Sequence, residues 1–193
     1  MTAISPALVL ASSSPRRLAL LAQIGIVPER VLSPDIDETP IDAELPRPYA
    51  QRMARAKADA VPVPGRFVLA ADTVVAVGRR ILPKAATGAE ARFCIDLLSG
   101  RRHRVLTAVV LTGPDGRRAE RLSETIVAYS RLTEAQKTAW LALGEWDGKA
   151  GGYAVNGTAA SFVRFLSGSF SGVAGLPLFE TAQMLRGLGW AVP

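Results

Sequence analysis

Three short stretches carry polar side chains where packing alone would not ask for them. The first is Ala11-Ser12-Ser13-Ser14-Pro15-Arg16-Arg17. An apolar run precedes it and an amphipathic run follows, so it sits at a strand-to-helix junction. Pro15 suits the first helical position. A helix start offers free backbone N–H groups and positive potential, which together attract anions. Two Arg in a first turn oppose the macrodipole, which favours acids there. A polyanion between them would resolve that conflict, because the planar guanidinium fork grips phosphate oxygens. The competing reading is an ordinary Ser cap followed by two solvated Arg.

The second stretch is Ala70-Ala71-Asp72-Thr73-Val74-Val75. A lone carboxylate inside an apolar run costs free energy unless it is partnered. It is expected at or near a strand end, where open α/β sheets hold their ligands. Asp72 is therefore a candidate general base or metal ligand, or else an Asp that caps a turn or closes an internal salt bridge. The third stretch, Asp35-Ile36-Asp37-Glu38-Thr39, gathers three carboxylates in a polar loop. Hard cations take oxygen ligands, so such acids beside a phosphate site could hold Mg²⁺. A solvated loop is the alternative, and the preferred one for Asp35. A fourth segment, Lys149-Ala150-Gly151-Gly152-Tyr153-Ala154-Val155-Asn156-Gly157, is rich in glycine. Glycine lets a backbone approach a ligand closely, and Asn156 could hydrogen-bond a base edge; a plain loop would look the same.

Other reactive residue types are scarce. His103 is the only histidine, which argues against a histidine triad or a His-rich zinc site. Flanked by Arg101, Arg102 and Arg104, it is expected on a solvated face. Cys94 is the only cysteine, so no internal disulfide or thiolate cluster is expected, and on a helix it reads as a small core residue. Trp140, Trp146 and Trp190 read as packing residues.

The elements that must position these groups alternate between the periods of strands and helices, an α/β pattern. Residues 7–11 read as a buried strand and 15–24 as a helix with Leu18, Leu21 and Ile24 on one face. A short strand near 29–32 leads into a loop over 33–48, then a helix over 49–60 with Lys57 in its last turns. An apolar strand runs over 67–77 and Gly78-Arg79-Arg80 turns it. A helix spans 87–98. Strands over 105–111 and 121–129 are joined by Gly113-Pro114-Asp115-Gly116, a turn signal. Thr133 caps a further helix. A strand over 162–166, a glycine-rich loop over 168–175 and an amphipathic helix from Pro177 complete the chain.

The chain has 193 residues and is 49% apolar, enough for one domain with a real core, and the reading is a single domain over 1–193. No apolar run approaches the length of a membrane helix, and no secretion signal is seen, so a cytoplasmic setting is expected. The net charge of +6 suits nucleic acid, an anionic membrane surface or a polyphosphate. Of 23 basic residues 19 are Arg, an excess that a GC-rich genome alone would also produce.

Taken together, the motifs resemble the Maf family over nearly the whole chain, in order. Ala11 to Arg17 looks like its N-terminal signature and Ala71-Asp72-Thr73-Val74-Val75 like its central acidic motif. Lys149 to Tyr153, Phe162-Val163, Gly175-Leu176-Pro177-Leu178 and Glu180-Thr181 look like its C-terminal block. The resemblance implies an elongated, two-lobed α/β fold: a mixed twisted sheet with flanking helices around a central cleft, often as a homodimer. It implies hydrolysis of nucleoside triphosphates between the α- and β-phosphates with Mg²⁺ or Mn²⁺. Asp72 would be the proton acceptor; from their residue type Glu38 and Asp72 are also the expected metal ligands. Ser12, Arg16, Arg17, Glu38, Lys57 and Lys84 would be polar cleft residues. Thr73 is similar to the dTTP- and UTP-directed branch, whereas Asn156 stands where that branch usually has Gln, which leaves the nucleobase preference open. Gly172 stands where Asn is frequent, and Ala85 where Pro is.

One alternative is a non-catalytic, basic nucleic-acid-binding or division-regulating protein. Aromatic residues make up only 6% of the chain, without the basic–aromatic interleaving of single-strand binders, so a nucleic-acid partner is not expected. A purine house-cleaning enzyme would share the reaction but not these motifs.

Overall fold

The computed structural model describes residues 7–190. Its centre is a seven-stranded mixed sheet. The apolar first segment forms β1 (Leu8–Ala11), which leads through the Ser turn into α1 (Pro15–Gln23). β2 (Arg30–Leu32) and β3 (Phe67–Val77) both lie parallel to β1, with helix α2 (Pro46–Asp59) between them in the chain. β4 (Arg80–Ile81) folds back on the end of β3. β5 (Lys84–Ala85) leaves the main sheet, and α3 (Gly88–Leu98) follows behind a Thr87–Glu90 capping box.

Two long strands continue the sheet, β6 (Arg102–Thr112) antiparallel to β3 and β7 (Arg118–Tyr129) antiparallel to β6. Then come α4 (Glu134–Ala142), β8 (Lys149–Ala150), a 3-10 turn, β9 (Val163–Ser167), α5 (Phe170–Ala174) and α6 (Leu178–Gly187). The sheet order is β2-β1-β3-β6-β7-β9, and β5 pairs with β8 as a separate two-stranded ribbon.

Side chains alternate across the sheet with a period of two. Leu8, Leu10, Phe67, Leu69, Val109 and Leu111 face one core with Leu21, Leu98 and Leu185. Val9, Ala11, Val68, Ala70, Leu106 and Val110 face the other, under Tyr49, Ala50, Met53 and Ala54 of α2. Helices therefore cover both faces, as the sequence pattern predicts. α1 and α2 start at Pro15 and Pro46. The first-turn N–H that Pro lacks has no intrahelical partner anyway. That explains why α2 begins three residues before the position expected from its periodicity. A second difference falls in the glycine-rich segment 168–175, where α5 forms a short helix. Its cap is Ser169, whose hydroxyl accepts from the Gly172 N–H at 2.9 Å.

The register creates the site. β1 pairs only with Phe67–Ala70 and ends at Ala11, while β3 runs on to Val77. β4 meets β3 only at Ala76 and Val77. The Val75 carbonyl accepts from the Leu82 N–H at 2.8 Å, so residues 71–74 form an open edge of an otherwise buried strand, just beyond the end of β1. Ala70 and Val74 mark one face of β3 and Ala71 and Val75 the other. Asp72 and Thr73 point to opposite faces, yet at an open edge both reach the same space.

Candidate active site

That space is a cleft of about 410 Å³. The turn Ser12 to Arg17 forms one wall and the open edge of β3 forms the floor. Glu38 and Lys57 line it from the α2 side, Lys84, Lys149 and Ala150 from the ribbon, and Val173 to Gly175 from the end of α5. Five basic side chains (Arg16, Arg17, Lys57, Lys84, Lys149) face three carboxylates (Glu38, Asp72, Asp147), so the cleft is net positive.

Arg17 is buried in it and bonded on three sides. Its Nε donates to the Gly175 carbonyl at 2.8 Å, Nη1 to the Ser12 hydroxyl at 2.9 Å, and Nη2 to the Thr73 hydroxyl at 3.3 Å. Ser12 also accepts from the Ser14 N–H at 3.2 Å, which closes the turn. Three of the five N–H donors of a guanidinium are committed, and two are left for a ligand. Burial lowers the pKa of Arg17. Asp72 opposes that shift, Arg16 adds to it, and Glu38 opposes it.

Arg16 differs. It is half-buried in the cleft, and burial lowers its pKa too. Among the described residues it has no carboxylate or hydrogen-bond partner. α1 adds no acid in its first turn, and its N-cap Ser14 makes no side-chain cap bond. Positive charge at this corner is thus left uncompensated by the protein.

The opposite wall is compensated. Lys57 lies on the buried stripe of α2 with Met53 and Ala54. Its ammonium donates to Asp72 Oδ1 at 2.5 Å and to Glu38 Oε1 at 2.8 Å. Lys84 pairs with the other oxygen of Glu38. Burial pushes the Glu38 pKa up, but the bonds and charges of Lys57 and Lys84 outweigh it, and Glu38 is held below its ordinary value. Tyr49 fixes the Glu38 backbone, its hydroxyl donating to the Glu38 carbonyl at 2.7 Å. Lys57 is therefore not a free charge but the bridge between the two acids. Asp72 Oδ2 carries no protein bond among the described residues.

The ribbon wall depends on glycine at one point. Gly151 has φ of +62°, and a Cβ there would lie 2.7 Å from Val75 Cγ1. Only glycine lets this backbone press against β3. Tyr153, two residues on, lines the cleft and bonds away from it, its hydroxyl 2.8 Å from His103 Nε2.

The structure brings Ser12, Arg16, Arg17, Glu38, Lys57, Asp72, Thr73 and Lys84 into one cleft. Asn156 is exposed and does not line it. Asp35 is exposed, as expected of a solvated loop residue. His103 corrects its expectation: it is buried, and burial pushes its pKa down to about 4. On a strand only every second residue faces out, so its arginine neighbours point to solvent while it points inward. Cys94 is buried, its thiol pushed up to about 11 by burial, and Trp140 is a core residue. Trp146 and Trp190 pack against that core, Trp190 edge-on to Phe67.

Asp147 joins the lining without having been singled out, and Lys149 joins it from the glycine-rich segment without having been given a role. Thr107, behind the cleft, was not singled out either; it bonds to Thr73. Its signal was present in the sequence, a hydroxyl inside the apolar run Val105 to Leu111. Among the described residues no cluster of three His, Cys, Asp or Glu forms a metal site. No described helix is long and apolar enough to cross a membrane. Many surface arginines are spent on local acids, such as Arg47 on Glu124, Arg55 on Glu120, Arg66 on Glu29 and Arg118 on Asp59, rather than left as a bare basic face.

A net-positive cleft at the carboxyl end of a parallel strand, with one carboxylate open among arginines, defines an α/β protein with an anion-binding site. Comparison with known proteins narrows the class. The Maf-like protein profile matches residues 7–188, and the chain belongs to the Maf family. A dTTP/UTP pyrophosphatase of Granulibacter bethesdensis is 58% identical to it, covering 95% of this chain and 93% of that one. A dTTP/UTP pyrophosphatase of Gluconobacter oxydans is 61% identical, covering 94% and 87%. Among solved structures, a nucleoside-triphosphatase / dITP/XTP pyrophosphatase of Mycobacterium abscessus matches at 18% identity and a TM-score of 0.45, covering 94% and 93%.

Proposed function

We propose that the chain is a nucleoside triphosphate pyrophosphatase that hydrolyses dTTP and UTP between the α- and β-phosphates, releasing the monophosphate and diphosphate. The observation that carries this reading is Arg16, a half-buried cation in the cleft with no partner among the described residues, beside Arg17 with two donors unspent. Such charge calls for a polyanion. The relatives named for dTTP and UTP, 58–61% identical over nearly the whole chain, support the substrate.

The chemistry asks little covalent work of the protein. Arg16 and Arg17 hold phosphate oxygens and stabilise charge that moves onto the leaving diphosphate. Lys84 adds positive charge from the ribbon. Asp72 keeps one oxygen fixed on Lys57 and uses the open one to orient a water toward the α-phosphorus and accept its proton. Glu38 holds Lys57 and Lys84 in place.

Glu38 and Asp72 already converge on one cation, the Lys57 ammonium. Two carboxylates meeting at a net-positive phosphate site also suit Mg²⁺ or Mn²⁺, which take one or two carboxylates and fill the remaining positions with water and phosphate oxygens. Glu38 and Asp72 would hold that ion, which supplies concentrated positive charge on the phosphate oxygens when bound.

The test is diphosphate release from a panel of canonical and modified nucleoside triphosphates with Mg²⁺, Mn²⁺ or EDTA. Metal-dependent release from dTTP and UTP is expected. Release from another base would keep the reaction and overturn the substrate; no release from any nucleotide would overturn the reaction.

A further inference from the structure

Thr107 lies behind the cleft, buried on β6, and does not line it. Its hydroxyl is 2.8 Å from the Gly172 carbonyl and 3.0 Å from the Thr73 hydroxyl. A hydroxyl has one hydrogen to give. The Thr107 hydroxyl is placed to donate to both the Gly172 carbonyl and the Thr73 hydroxyl, so its one hydrogen is shared between two acceptors. Thr73 also accepts from Arg17 Nη2. Thr73 and Thr107 thus link Arg17 to the backbone of α5. The Gly175 carbonyl, three residues on, accepts from Arg17 Nε. Both routes tie one guanidinium to one short segment.

That segment is anchored at its far end by Ala174 and Leu176, which are buried in the core. α5 spans five residues. At its start the Thr125 hydroxyl accepts from the Ser169 N–H at 2.9 Å and lies 3.3 Å from the Ser169 carbonyl, and Gly172 packs closely on the sheet. A Cβ at Gly172 would stand 3.2 Å from the Ser123 hydroxyl, so the backbone there lies close on β7.

We propose that Thr107 is a positioning residue of this site. It locks the rotor of Thr73 and the height of the α5 segment together, and so aims the two unspent donors of Arg17 into the cleft. The proposal rests on the pyrophosphatase reading for its kinetic arm only. Thr107→Val keeps the shape and removes the hydroxyl; Thr107→Ser keeps the hydroxyl. Three readouts are compared: kcat and KM for diphosphate release from dTTP with Mg²⁺, the melting midpoint, and the solvent exchange rate of the Arg17 Nε–H by NMR.

With a folded T107V, kcat is expected to fall on the order of 10- to 100-fold, as for a displaced charge-stabilising group, with KM changed by less than about 3-fold. Arg17 Nε–H exchange is expected to speed up in T107V, and T107S to recover both readouts. If T107V does not fold, Thr107→Ala takes its place, since it removes the hydroxyl without setting a methyl against the Gly172 carbonyl. Wild-type kcat and exchange in the hydroxyl-free variant would overturn the proposal. So would equal loss in T107S, which would mark Thr107 as a packing residue. If the wild type itself turns over no nucleotide, the pyrophosphatase reading fails, and the exchange rates alone decide the role of Thr107.

Discussion

Arg17 and Gly175 are joined by a 2.8 Å hydrogen bond across 158 positions of the chain, from the first helix to the loop before the last. The guanidinium is gripped by Gly175, Ser12 and Thr73 at once, a fork geometry that an ammonium cannot copy. Arg17→Lys keeps the charge and loses the fork. We expect kcat/KM for dTTP to fall on the order of 10²-fold, the usual cost of removing one charge-stabilising donor. Steady-state kinetics on the purified variant checks this, and a change below about 3-fold would reject a specific role for the fork.

Arg16 predicts the opposite balance of effects. It supports no partner among the described residues, so Arg16→Ala is expected to leave the melting midpoint unchanged or raised. Losing a charge-assisted contact of about 1.5–3 kcal/mol should weaken nucleotide binding by about 10- to 100-fold. Calorimetric titration with a non-hydrolysable dTTP analogue, beside a thermal melt, separates the two.

Asp72→Asn should abolish most turnover, by about 10²- to 10⁴-fold, since the amide cannot take a proton. Nucleotide binding should persist, because the arginine wall is untouched. Full activity in the variant would remove Asp72 from the mechanism. Chelation of divalent ions by EDTA should silence the wild type in the same assay, and added Mn²⁺ or Mg²⁺ should restore it.

His103 makes stability depend on acid. Its folded pKa is near 4 against an ordinary 6.5, because burial disfavours the charged form. Between those values the unfolded chain binds more protons than the folded one, so stability rises with pH through that window. The contribution is complete above about pH 6.5 and is lost as pH falls toward 4, a change of about 3 kcal/mol. Denaturant unfolding at a series of pH values should show this slope, and His103→Gln should flatten it.

Gly151 gives a packing prediction. Alanine there would meet Val75 Cγ1 at 2.7 Å in a backbone conformation that L residues rarely adopt. Strain and overpacking together should cost about 2–4 kcal/mol, and the ribbon carrying Lys84 and Lys149 should shift. A Gly151→Ala, Val75→Ala double variant should recover part of the clash and none of the backbone strain.

Much of this was legible residue by residue. The Ser12–Arg17 turn announced itself by two Arg at a helix start, and Asp72 by a charge inside an apolar strand. Both signals are local violations of folding preference, and such violations collect at functional sites. Lys57 was readable as a late-turn helix residue, but not as the bridge of two acids, because its partners lie 15 positions later and 19 earlier in the chain. His103 was misjudged because its charged neighbours were weighed as a cluster, when a strand sends them to the other side. The helix in residues 168–175 was hidden because its Gly content suggests a loop, while a Ser cap and sheet contacts override that propensity. The open edge of β3 could not be read at all, since it arises from the difference in length between β1 and β3.

The tie between Arg17 and Gly175 also has a consequence in time. A ribosome adds residues in order, so for most of synthesis the guanidinium of Arg17 lacks the carbonyl that holds it. The wall facing the substrate is completed only when the segment after β9 emerges and docks. A growing chain therefore carries its carboxylates and serines long before it can use them. Catalytic competence arrives late and all at once, with the segment that follows β9.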